Sequence, residues 1–367
     1  MPGPLRPRLL LATAVTTLAA GIAFWVYGTF GGPRSTMQVT KAADDTELTW
    51  RGQDAFVVDA VAGLRPRART TIRLPTVGIG PDEPGETVKH RDRFGFLRED
   101  ELPEPIDRPC VLMLGDSHID GVVDTADNVS TRLERRSEAD GQPVRVLNAA
   151  CGMYGLWQHN LRGRVLLERF RPRVVVVVVF LGNDFLDLDN PTMPHLDDAL
   201  REQPEGTLDS AEPVRQRRRD LDLPEDRQML FWQGLDQARF LQQQPERRPF
   251  LLAKAKHAVE ALEAAAAAHG AKVLWALLPS YDLVFPERTA ALSAVAAQVV
   301  ASGAQRQMRD QFVRLLTQRQ ATIVDFEPTF RAKGGSTLYA SDFHVYRRGH
   351  ELMAEALQAP LRMLLGR

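Results

Sequence analysis

Val174 to Phe180, six consecutive valines and a phenylalanine, constrain the fold more than any other stretch of this 367-residue chain. β-Branched residues favour extended backbone. A strand with no polar alternation has no face to offer water, so both of its faces must be covered. Sheets of that kind are parallel and carry helices on both sides. Shorter apolar runs fit the same sheet: Val111 to Leu114, Val144 to Leu147 ending at Asn148, Lys272 to Leu278 stopped by Pro279, and Thr322 to Val324 followed by Asp325. Helical stretches alternate with them, at Asn128 to Glu138, Trp157 to Phe170, Leu251 to His269, a long one after Pro286, and Gly349 to Leu365. This alternation predicts an α/β domain over 106–367, a three-layer α/β/α sandwich on a five-stranded parallel sheet.

Two regions depart from the alternation. Residues 31–105 mix Gly, Pro and charge with short alternating pieces such as Thr71-Ile72-Arg73-Leu74, and read as an accessory β-rich segment or cap. A polar insertion at about 187–248 is too long for an ordinary connection and reads as a lid or partly disordered loop. Its apolar patch, Met229-Leu230-Phe231-Trp232, implies that part of it packs.

The N-terminus carries a targeting signal. Arg6 and Arg8 precede an uncharged run from Leu9 to Phe30, long enough to cross a hydrocarbon core of about 30 Å. Phe24, Trp25, Tyr27 and Phe30 gather at its far end, as an interfacial aromatic belt would. Residues 1–30 are read as a membrane anchor, with a cleaved signal the alternative, and either places the remaining chain outside the cytoplasm. A formal net charge of −1 excludes bulk electrostatic binding of nucleic acid, and acidic residues bracket the cluster at Arg215, Arg217, Arg218 and Arg219. Cys110 and Cys151, placed at opposite ends of the sheet, are expected to be free, buried thiols.

In an open parallel sheet, ligands bind beyond the carboxyl ends of the strands. Gly115-Asp116-Ser117-His118 follows the first strand there. Asn148 and Cys151-Gly152-Met153-Tyr154-Gly155 follow the second, and Gly182-Asn183-Asp184 the third. Ser341-Asp342-Phe343-His344 lies between the fifth strand and the last helix. A serine hydroxyl needs a base to remove its proton as it attacks. Ser117 stands at a strand-to-helix turn where it could do so or merely cap the helix. His344 is the candidate base, with Asp342 two residues before it. In extended backbone residues i and i+2 point the same way, which would let the carboxylate reach the ring.

In order and strand context these blocks resemble those of the SGNH (GDSL-type) hydrolases, over roughly Pro109 to the C-terminus. The stretch Arg91 to Arg98 is similar to an element that often precedes the serine block in bacterial members. The resemblance implies a flavodoxin-like sheet and a Ser117–His344–Asp342 acyl-enzyme mechanism needing no cofactor. It also implies an oxyanion hole from the amides of Ser117 and a block-two residue, Gly152, with the side chain of Asn183. Two departures stand out: Asp-x-x-His is the usual spacing, and Met153 occupies a position where glycine is usual. The expected substrate is an acylated carbohydrate or lipid ester, acetyl esters first among them, with O-acyl transfer to an envelope polysaccharide or a catalytically silent binding module as alternatives. His118 is expected to shape the site, His350 only to pack, and Asn128 to cap a helix. Asp184, Asp187 and Asp189 match no calcium-loop spacing, so no metal is assigned.

Overall fold

The computed structural model describes residues 38–40, 49–50, 53–75, 86–204 and 218–366. The N-terminal run Leu9 to Phe30 lies outside them, and no helix among the described residues is long and apolar enough to cross a membrane.

The first six strands belong to the accessory segment: β1 (Gln38–Thr40), β2 (Thr49–Trp50), β3 (Gln53–Asp59), β4 (Gly63–Pro66), β5 (Thr70–Pro75) and β6 (Glu86–Arg91). They form two antiparallel three-stranded sheets, ordered β1-β5-β6 and β2-β3-β4. Seams of polar contacts join this segment to the α/β unit. Val88 N–H donates to Asp124 Oδ1 at 2.7 Å and His90 N–H to Thr125 Oγ1 at 2.8 Å. The buried Arg98 guanidinium bonds Glu134 at 2.7 Å and the Val146 carbonyl at 3.3 Å.

The central sheet comprises β7 (Cys110–Leu114), β8 (Arg145–Asn148), β9 (Val174–Phe180), β12 (Lys272–Leu278) and β13 (Thr322–Asp325). A small hairpin of β10 (His195–Leu196) and β11 (Glu202–Gln203) stands apart from it. All its neighbours are parallel, in the order β8-β7-β9-β12-β13. This is the flavodoxin-like order, and it reverses direction between β7 and β9. The valine run occupies the middle. Val175, Val177 and Val179 face one apolar cluster, and Val174, Val176, Val178 and Phe180 face the other. Burying each valine contributes about 1.5–3 kcal/mol, which explains why no polar residue interrupts the run.

Helices α1 (Ser117–Asp120), α2 (Val129–Ala139), α3 (Leu156–Phe170), α4 (Asp236–Gln243), α5 (Arg248–Ala268), α6 (Ala304–Gln318) and α7 (Arg347–Leu365) complete the layers. Asn128 caps α2, its Oδ1 accepting Ser130 N–H at 3.1 Å. His350 does more than pack: its Nδ1 accepts Val129 N–H at 3.2 Å, at the start of the same helix. The long helix expected after Pro286 is broken into three. Ser293 caps a new start at Ala296 N–H, and Gly303, at φ +65°, starts α6. Cys110 and Cys151 are free and buried, and burial pushes the Cys110 thiol up to about 12.

The polar insertion is structured where it is described. Its apolar patch packs: Met229, Leu230 and Phe231 join Leu235, Ala238 and Phe343 in a cluster of their own. That packing carries the turn Phe231–Leu235 and α4 onto the carboxyl edge of the sheet.

Candidate active site

Ser117 opens α1 immediately after β7, at the point where the strand order reverses. The turn is tight: a Cβ at Gly115 would fall 2.6 Å from the Ile119 side chain. Asp116 caps the helix, its Oδ1 accepting His118 N–H at 2.9 Å. Behind the turn, Asn148 Nδ2 donates to Asn128 Oδ1 at 3.0 Å and to the Ile119 carbonyl at 3.3 Å.

His344 Nε2 lies 3.0 Å from Ser117 Oγ, and His344 Nδ1 lies 2.9 Å from Asp342 Oδ2. The two-residue spacing works for a reason other than extended backbone. Phe343 sits at φ +65°, so the chain turns between Asp342 and His344. The carboxylate then accepts both the His344 backbone N–H, at 3.1 Å, and the ring N–H. A left-handed phenylalanine costs roughly 1 kcal/mol or more. Burial offsets that cost: the Phe343 ring packs edge-on against Tyr281 at 5.0 Å, with the Arg227 guanidinium 5.7 Å from its centroid.

The carboxylate and the imidazole are electrostatically matched. Burial works against the charge of His344, and Asp342 outweighs it, holding the ring pKa above 6.5. Burial would likewise raise Asp342, but the His344 charge and hydrogen bonds hold it below the usual carboxylate range. Beneath the serine the environment is different. Burial, reinforced by Asp184, pushes Asp116 up to about 8, and burial raises Asp184 as well. His159, 3.6 Å from Asp184, is pushed down to about 4 by burial. Burial thus disfavours charge on Asp116, Asp184 and His159 near the serine turn, whereas Asp342 and His344 favour each other's charged forms.

The four sequence blocks converge on one sheet edge, with the serine block at the strand-order reversal and the histidine block returning to it from the C-terminal end. No family model and no curated protein sequence matches the chain. Among solved structures it is similar to TesA, at 16% identity and a TM-score of 0.42, covering 70% of this chain and 99% of that one. It is also similar to a Clostridium thermocellum family 3 carbohydrate esterase, at 11% identity and a TM-score of 0.42, covering 71% and 98%. A third is the acetyl xylan esterase AlAXEase, at 13% identity and a TM-score of 0.40, covering 69% and 99%.

Gly152 adjoins Ser117: a Cβ built on it would stand 3.8 Å from Ser117 Cβ and 3.8 Å from Phe56 Cζ. Met153, at φ +70°, is turned outward and 37% exposed. Asn183 follows β9 in the turn held by Gly182, and its Oδ1 is buried without a partner. Asp189 is paired with Arg247 at 2.7 Å and with Lys254.

Two contributors escaped sequence reasoning because neither lies in a catalytic block. Phe56 comes from β3 of the accessory segment. Gln233 comes from the insertion, where its neighbour Gly234, at φ +146°, lies too close to Ser280 and Asp282 to carry a side chain. The apolar patch just before Gln233 was the available signal. It identified a packed piece of the insertion, but not what that piece carries.

Proposed function

We propose that the chain is a serine esterase acting on short acyl esters, acetyl esters above all, outside the cytoplasm. The observation that carries this reading is the continuous path from Asp342 through both nitrogens of His344 to Ser117 Oγ, with steps of 2.9 and 3.0 Å. Ser117 Oγ attacks the ester carbonyl as His344 Nε2 takes its proton, and Asp342 steadies the imidazolium. The alkoxide leaving group takes that proton back. Water, deprotonated by the same ring, then releases the acid and restores the serine. Backbone amides at Ser117 and Gly152, with the Asn183 side chain, are the donors proposed for the oxyanion.

The small acyl group is read from Gly152. A carbon added to it would meet Phe56 Cζ and Ser117 Cβ at 3.8 Å, ordinary van der Waals distance. An acetyl methyl fits beside the serine there. Attachment to the membrane through residues 9–30 is the proposed means of holding the enzyme at an acylated envelope carbohydrate or lipid.

The test is fluorophosphonate labelling together with hydrolysis of p-nitrophenyl acetate. Wild type reacts and turns over, and Ser117→Ala loses both while keeping its thermal midpoint. Labelling that survives in Ser117→Ala places the nucleophile elsewhere. A folded wild type that neither labels nor hydrolyses is a binding module. Acyl transfer to an added polysaccharide in preference to water identifies a transferase.

A further inference from the structure

Gln233 lies between two histidines. Its Oε1 is 2.7 Å from His118 Nε2, and its Nε2 is 3.4 Å from His344 Nε2, the nitrogen that faces Ser117 Oγ. The proton positions along this path follow from a group that cannot be reversed. The backbone N–H of Val345 donates to His118 Nδ1 at 3.2 Å, so that nitrogen is an acceptor. A neutral His118 must then carry its proton on Nε2 and donate it to Gln233 Oε1. The amide nitrogen of Gln233 is left facing His344, and it has only N–H to offer. His344 donates from Nδ1 to Asp342, so its Nε2 presents a lone pair to both Gln233 and Ser117. His118 is held in this role by its surroundings. It is fully buried and stacked on Phe180 at 3.7 Å, and burial keeps its pKa well below 6.5.

We propose that Gln233 is a positioning residue. Through a one-way hydrogen-bond chain begun at Val345 N–H, it holds His344 in the tautomer that can accept the serine proton, and it opposes a lasting charge on that ring. Once Nε2 is protonated, the ring N–H and the Gln233 amide N–H face each other as two donors. The proton is thereby urged on toward the leaving group. Asp342 acts in the opposite sense from the far side of the ring. Of the other groups around His344, Asp116 from the β7–α1 turn favours the charged ring, Lys89 from β6 opposes it, and the His118 ring of α1 lies 4.7 Å away. The insertion thus contributes to the chemistry through Gln233 as well as covering the site.

This inference rests on the esterase reading for its kinetic consequence only; the ring titration is independent of turnover. Ring-nitrogen NMR of the full chain, with the His344 signal assigned by its loss in His344→Gln, reads both tautomer and pKa. The variants are Gln233→Met, near in size but without donors, and Gln233→Glu, which offers only acceptors. Wild-type His344 is expected as the Nδ1–H tautomer. Its pKa should rise by about one pH unit in Gln233→Met and by more in Gln233→Glu. The acid limb of kcat/KM should move upward in step, with about a tenfold loss near pH 6. A His344 titration unchanged in Gln233→Met overturns the proposal, even if Gln233→Glu fails to fold. Shifted titration in a protein with no esterase activity leaves the hydrogen-bond chain standing and removes the esterase reading instead.

Discussion

His344 lies 227 residues beyond Ser117 in the chain, yet its Nε2 stands 3.0 Å from the serine oxygen. What closes that distance is the segment 340–346 folded back over β7. Ala340 N–H bonds the His344 carbonyl at 2.8 Å and Tyr346 N–H the Leu338 carbonyl at 2.9 Å. Two anchors hold the fold-back. Val345 N–H is tied to His118, the residue next to the serine, and the buried Phe343 ring packs into the cluster formed by the insertion. Serine and histidine are therefore referenced to the same local framework.

Asp342→Asn tests the orienting carboxylate. Without it the ring loses the charge that holds its pKa above 6.5 and the acceptor that keeps the proton on Nδ1. We expect kcat to fall by about 10³–10⁴ with the thermal midpoint little changed. The acid limb of activity, which in wild type lies above pH 6.5 because the base must be neutral, should move to lower pH. A limb that stays in place would detach Asp342 from the base.

Asp116 links the site to stability. Folding raises its pKa from 3.8 to about 8, so between those values the folded protein keeps a proton that the unfolded chain releases. The stability it contributes is complete below about pH 4 and is lost as pH rises through 8. Asp116→Asn retains a cap oxygen and cannot titrate, so its thermal midpoint should fall less steeply from pH 4 to 8 than that of wild type. Asp184 is raised in the same direction and keeps part of the slope. Parallel curves for the two proteins would show that Asp116 is not protonated in the fold.

The space beside Gly152, next to Ser117 and Phe56, can be filled or enlarged. Gly152→Ala should cut kcat/KM for p-nitrophenyl acetate about tenfold or more while the protein stays folded, since its Cβ meets nothing closer than 3.8 Å. Phe56→Ala should raise the butyrate-to-acetate ratio of kcat/KM by a similar factor. An unchanged chain-length profile in Phe56→Ala would remove the accessory segment from acyl selection.

Gly182 is needed for its lack of a side chain. A Cβ there would fall 2.4 Å from the Phe180 ring and 3.1 Å from the Gln233 carbonyl. Gly182→Ala should therefore cost about 1–3 kcal/mol of stability, measured by denaturant unfolding. It should also lower activity beyond what the stability loss explains, because Asn183 and Gln233 both move. Full activity in a destabilised variant would show that neither position is sensitive to this turn.

The sequence by itself determined the sheet and the main chemistry-bearing positions. A run such as Val174 to Phe180 can be satisfied only between two apolar layers, and its alternating members do divide between the two clusters. Given a parallel sheet, the residues after each strand must share one edge, which places Ser117, Gly152 and Asn183 together, while the pairing with His344 rests on the resemblance. Local signals were less complete. The pattern after Pro286 predicts one long helix, which Ser293 and Gly303 interrupt. Extended geometry predicts that Asp342 reaches the His344 ring, whereas a left-handed Phe343 is what brings it there. Only the tertiary structure decided that Phe56 comes beside Gly152 and that Gln233 meets both histidines. Both come from regions whose polar or mixed sequences have no periodicity to follow. Their positions depend on long-range packing, the accessory sheets on the α/β unit and Met229 to Phe231 beneath α4, which no local pattern encodes.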